Sequence, residues 1–213
     1  ISKAIICISV LIFQMSSYAT PLFQTTLSEI SGESFNQFGS TVSIAGDYIL
    51  AGAPGQENDK GKACIFKRVG KNWNLQLCLA ATTSEKSTIT QFGKSVSLTE
   101  DQAIIGAFQQ NAGKIGAAYV FERQGDSWGQ TMEFLDPYTQ VNGNFGSAVS
   151  ISSNIAVIGD YSQAASKKGK VHIYKKTAST WEPDIIITSD SPTKSRRFGS
   201  SIMLSGDHLI IGD

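Results

Sequence analysis

Three cysteines, two histidines and a set of Gly-Asp pairs are the side chains in this sequence with the types that do chemistry. His172 occupies a position matched by Cys64 and Tyr119 in neighbouring stretches of similar sequence, which marks it as a packing or edge residue. His208 follows a Gly-Asp turn with no Cys, Glu or second His near it, so no zinc set forms there. No Gly-x-Ser-x-Gly elbow, phosphate-binding loop or Ser–His–acid grouping can be assembled. Asp47 and Asp207 read as turn formers. Asp160 stands where an earlier stretch has Ala53, and is the one acid placed to approach an inner strand. Glu57, Asn58 and Asp59 crowd one loop, and the equivalent loops lack them, so they read as a solvated loop rather than a calcium site. The expectation is a chain that is not an enzyme, with no catalytic residues, no bound metal and no cofactor.

Cys64 and Cys78 form an even pair once Cys7, near the N-terminus, is set aside. Folding a hairpin about Lys71 places them opposite one another, seven residues to either side. Two states fit that placement: a cross-strand disulfide, or two buried thiols should the register slip by one residue.

The compartment bears on that choice. Residues 1–19 differ from the rest: Lys3, an apolar run over 4–13, and Ser17-Tyr18-Ala19 with small residues where a leader peptidase cuts. A membrane anchor needs about 20 apolar residues, and this run is shorter. The segment reads as a secretory signal, implying a secreted or cell-surface protein in an oxidising environment, with no membrane insertion after cleavage. The 18 basic and 18 acidic residues cancel, which argues against nucleic acid as a partner. An apolar content of 41% is enough to build a core.

The elements that position these residues come from a repeat. Phe-Gly recurs as Phe38-Gly39, Phe92-Gly93, Phe145-Gly146 and Phe198-Gly199, at intervals of 54, 53 and 53 residues. Each pair leads into a short alternating run: 41–44, 95–98, 148–151 and 201–204. A second apolar run ends in Gly52, Gly106, Gly159 and Gly212. A third, over 61–66, 116–121 and 169–174, leads to Trp73, Trp128 and Trp181. Alternation over four to eight residues, rich in Val, Ile, Phe and Tyr and broken by turn residues, marks strands; no stretch carries sustained helical periodicity.

The expected fold is therefore all-β: a β-propeller built of four-stranded antiparallel blades. Its divisions are a signal peptide over 1–19, then an outer strand and connector over 20–37 that joins the ring ends. Blade repeats follow over 38–91, 92–144 and 145–197, and 198–213 begins a fourth, truncated one. The chain reads as a fragment at both ends. The phenylalanines and tryptophans are expected to pack between adjacent blades, since aromatics at a strict strand period fill cores.

Phe38-Gly39 followed by Gly52-Ala53-Pro54 resembles the FG-GAP repeat, and Gly106-Ala107 keeps part of it. The stretch 116–121 with Trp128 is similar to the blade core of secreted bacterial FG-GAP proteins, and the fold resembles the seven-bladed headpiece of integrin α chains. The resemblance covers about 22–213 and implies a full-length propeller of seven blades. Integrin-type blades often carry an Asp-rich calcium loop between the first two strands; the turns here are too short and too poor in carboxylates for one.

Both the resemblance and the up-and-down topology point to one rim for recognition. It carries the longer, divergent segments 55–60, 109–114 and 161–168, together with 81–91, 136–144 and 188–197. Tyr138, Tyr161 and Arg197 are its candidate ligand-contacting residues. The expected function is a non-catalytic binding or adhesion module for an extracellular protein or glycan. The alternative is an accessory propeller of a larger exported enzyme, for example one acting on polysaccharide.

Overall fold

The computed structural model describes residues 10–14, 22–27, 37–83, 90–108, 116–137, 143–162, 168–190 and 197–213. Three four-stranded antiparallel sheets follow one another along the chain. The first is β3 (Thr41–Ala45), β4 (Tyr48–Ala53), β5 (Lys62–Val69) and β6 (Asn72–Leu79). The second is β7 (Phe92–Leu98), β8 (Gln102–Ala107), β9 (Ala117–Gln124) and β10 (Ser127–Leu135). The third is β11 (Gly143–Ser152), β12 (Ile155–Ser162), β13 (Lys170–Thr177) and β14 (Thr180–Thr188). A fourth opens with β15 (Ser201–Ser205) paired to β16 (His208–Gly212). This is the four-strand unit read from the sequence.

Two features lie outside that reading. Val10–Gln14 (β1), inside the segment read as a signal, pairs antiparallel with Leu22–Leu27 (β2). One helical turn, α1 (Gln56–Asp59), sits in the loop after β4, where Glu57 pairs with Lys62 at 2.5 Å.

Alternation divides each sheet between two interfaces. In the first sheet Tyr48, Leu50, Ala63 and Ile65 face the second and pack on Phe92, Ala103, Ile105, Tyr119, Phe121 and Trp128. Ile104, Ala118, Val120 and Phe134 leave the opposite face of the second sheet and pack on Phe145, Val149, Ile151, Tyr174 and Trp181 of the third. The remaining face of the first sheet holds Phe38, Ile49, Ala51, Ala53, Cys64 and Phe66, and Leu27 of β2 packs there. A sheet with two apolar faces cannot be stable alone, so stacking is obligatory. Phe92, Phe145, Trp128 and Trp181 lie between sheets, as expected. Phe38 and the half-buried Trp73 lie on the first sheet's outward face, and Phe198 is half-buried.

The outer strands depart from simple alternation. In β6, Leu75 pairs with Phe66 and Leu77 with Ile65, so Gln76 is an extra residue. Thr131 and Asp184 are extra at the same place in β10 and β14. Such a bulge turns the chain over, because a one-residue insertion reverses which side chains face each way. Trp73 and Leu75 therefore join one interface and Leu77 and Leu79 the other. Without the bulge all four would share a face.

Backbone approaches closest where the repeat has glycine. A Cβ on Gly52, Gly106 or Gly159 would stand 2.0, 2.0 or 2.1 Å from the carbonyl oxygen of Gly93, Gly146 or Gly199 in the next sheet. Those partner glycines have φ of 92°, 86° and 87°, a region that side-chain-bearing residues rarely enter. The strand-ending glycine of one unit and the Phe-Gly glycine of the next thus form one contact across the seam.

Hydroxyls complete it. Ser43, Ser97 and Ser150 accept the backbone N–H groups of Leu98, Ile151 and Leu204 at 3.1, 3.2 and 3.0 Å. Thr41 and Ser95 donate to the carbonyls of Gly93 and Gly146, both at 2.8 Å. In the fourth unit the serine position is Met203, 63% exposed. At the other end of the stack Val42 and Ile44 are exposed, although their counterparts Leu98, Val149 and Ile151 are buried.

Candidate functional site

The stack has two unlike ends. Short turns 45–47, 99–101, 153–154 and 205–207 close one end, and the long connections emerge from the other. At the long-connection end the third sheet breaks the repeat. β11 has 10 residues where β3 has 5 and β7 has 7.

The cause is a cluster of polar side chains. Asp160 pairs across the sheet with Phe145, and its Oδ1 accepts the backbone N–H of Asn144 at 2.9 Å. The fully buried Asn144 donates from Nδ2 to the carbonyl of Tyr161 at 2.7 Å. In the first two units the residue before Phe-Gly turns off the strand with positive φ, 53° at Gln37 and 54° at Gln91. At Asn144 these bonds hold the backbone in the ladder instead, opposite Tyr161.

His172 stands beneath this cluster, almost wholly buried. Its ring meets Phe145 edge-on at 5.2 Å between centroids, and its Nε2 is 3.9 Å from Asp160 Oδ2. It packs, as the sequence implied. Its meeting with Asp160 was not foreseen. The signal was visible: Asp160 replaces Ala53 and Ala107, and His172 replaces Cys64 and Tyr119 at the diagonal position on the next strand.

Tyr161 is half-buried, its ring centroid 6.1 Å from that of the buried Phe108 at the end of β8. The pair spans the second and third sheets where the long connections leave them. Arg197 is exposed, and its carbonyl accepts the N–H of Ser200 at 2.8 Å in the turn that opens the fourth unit. Tyr138 lies outside the described residues, as do 84–89, 109–115 and 163–167 of the long connections. Tyr161 and Phe108 thus form an aromatic edge, and Asn144 and Asp160 a fixed strand end. Among the described residues no three His, Cys, Asp or Glu side chains are grouped to hold a metal ion.

Cys64 and Cys78 are bonded, with Cα atoms 3.9 Å apart in directly paired positions of β5 and β6. The register depends on Gln76: the strands turn at Gly70-Lys71 with Val69 opposite Asn72, and the bulge shifts the later pairs by one.

A repeat of this construction, with its glycine contacts between sheets, matches the family model for the FG-GAP repeat over 23–66, 73–121 and 128–174. The chain belongs to the FG-GAP repeat family. The matched units start at the outer strand of one blade and run through three strands of the next, beginning at Trp73 and Trp128 in the later two. The first begins at Phe23 in β2, the position an outer strand holds in the others. No curated protein matches the sequence significantly. Among solved structures, one titled "Structural and Mechanistic Analysis of Two Prolyl Endopeptidases: Role of Inter-Domain Dynamics in Catalysis and Specificity" overlaps 82% of this chain at 11% identity, with a TM-score of 0.39. The chain spans 31% of that structure's length.

Proposed function

We propose that this FG-GAP chain is a non-catalytic recognition module of a secreted or cell-surface protein, binding an extracellular protein or glycan through the long-connection end of its blades. One observation carries the reading. The third blade is extended at that end by Asn144 and Asp160, which fix Tyr161 beside Phe108, while the opposite end keeps tight turns. A repeat scaffold gains specificity where it departs from its own pattern, and loops held on rigid strands are the usual carriers of recognition. The Cys64–Cys78 bond and the leader-like segment 1–19 support export.

The test is a screen of the purified protein against glycan and extracellular-protein arrays, followed by Tyr161→Ala and Arg197→Ala in the protein and its best ligand. Weaker binding at unchanged melting temperature is the expected result. Binding indifferent to both substitutions would place recognition elsewhere and overturn the reading.

A further inference from the structure

The short-turn end also departs from the repeat, at one seam. Tyr48 begins the second strand of the first blade and faces the second blade, where its ring packs edge-on against Trp128 at 5.9 Å. The corresponding residue of the second blade is Gln102, which faces the third blade and lacks that bulk. Tyr48 fills its seam; at the next seam a cleft of about 420 Å³ opens, lined by Thr99, Gln102, Glu122, Arg123, Ser153 and Lys176 among others.

Gln102 is 7% exposed. Its Nε2 donates to Glu122 Oε1 at 3.3 Å, and its Oε1 accepts no hydrogen bond among the described residues. A buried acceptor left unmatched is costly, so this oxygen awaits a donor. Glu122 also accepts from Lys176 Nζ at 2.5 Å, through the same Oε1. Arg123 pairs with Asp101. Glu100, the third acid lining the cleft, also lies against Gly46 of the first blade. Both cations of the cleft are thus paired, and its three carboxylates leave the lining net negative, which disfavours an anion as ligand.

We infer that this cleft binds a neutral, hydroxyl-rich small molecule, a saccharide unit with vicinal hydroxyls. Each hydroxyl both donates and accepts. One donates to Gln102 Oε1 and its neighbour to the second oxygen of Glu122, while Lys176 and Ser153 donate to the same pair. The volume lies in the range of small-molecule sites and suits a single sugar ring.

The experiment is an NMR titration of the isotope-labelled protein with glucose, galactose and mannose, with arginine and citrate as charged comparisons. At least one hexose is expected to shift the Gln102 side-chain amide and the Ser153 and Lys176 signals saturably, and the charged compounds are not. Gln102→Met keeps the volume and removes the acceptor; it weakens that binding about tenfold, the worth of one hydrogen bond to a buried group. Gln102→Tyr fills the cleft as Tyr48 fills the seam before it, and abolishes binding. No saturable shift with any hexose, undiminished affinity in Gln102→Met, or preference for arginine or citrate would overturn the inference. Tyr161→Ala leaves this site intact, which separates its failure from that of recognition at the opposite end.

Discussion

The hydroxyl of Ser97 accepts the backbone N–H of Ile151 at 3.2 Å, joining the inner strands of two successive blades. The same bond runs from Leu98 to Ser43 and from Leu204 to Ser150. It explains why a serine recurs in an otherwise apolar alternating run: the inner strand has no ladder partner on that side, and the side chain supplies the missing acceptor.

Ser97→Ala should therefore cost about 1 kcal/mol, the value of a neutral hydrogen bond plus part of the penalty for a stranded N–H. Urea denaturation checks it, through a lower midpoint at unchanged slope. Ser205→Ala, in the short turn of the fourth blade, should be near neutral.

The glycine contacts between blades are far less forgiving. Gly93→Ala places a methyl 2.3 Å from the Lys62 carbonyl oxygen on a backbone with φ of 92°. Gly125→Ala faces open space at φ of 64°. The second should cost about 1–2 kcal/mol, the strain of a left-handed alanine. The first should exceed it severalfold, because blades must part to relieve the clash. Comparative thermal melts decide.

The Cys64–Cys78 bond closes a loop of sequence separation 14. Removing it in the Cys64→Ala/Cys78→Ala protein should lower stability by about 3 kcal/mol. Adding reductant should lower the melting temperature of the parent and leave the double variant unchanged. Equal sensitivity to reductant in both would show that the bond is not the cause.

Lys67 reaches across the first seam to Asp126 at 2.5 Å. That hydrogen bond and the lysine's charge hold the Asp126 carboxyl below the usual aspartate range, and the same bond raises Lys67. A depressed carboxyl gives a contribution to stability present above its unfolded pKa and lost as pH falls through its folded one. The contribution from Lys67 is fully present below its unfolded pKa and lost as pH rises through its raised folded pKa. Both groups are exposed, so salt screens the pair and its contribution is small. Lys67→Met should return the Asp126 carboxyl to the ordinary range, read by NMR titration. Glu57, lowered chiefly by its hydrogen bond to Lys62, should behave likewise in Lys62→Met.

The sequence by itself determined the unit. Period-2 alternation, Phe-Gly, the strand-ending glycine and the tryptophan are local signals, and their recurrence made legible the strand order and the packing of Phe92, Phe145, Trp128 and Trp181 between sheets. Tertiary structure decided what depends on one residue of register or on contacts a whole repeat apart. The Gln76 bulge sends Trp73 and Leu75 one way and Leu77 and Leu79 the other, and it brings Cys64 opposite Cys78. Asp160 meets His172 only because adjacent strands set them diagonally, and Gln102 opens a cleft only because the neighbouring blade leaves the space unfilled. The inserted Gln76 leaves the alternation of Trp73, Leu75, Leu77 and Leu79 unbroken along the chain, yet it reverses the direction of every side chain beyond it in β6. Neighbours across a seam are about 53 residues apart, beyond the reach of any local signal.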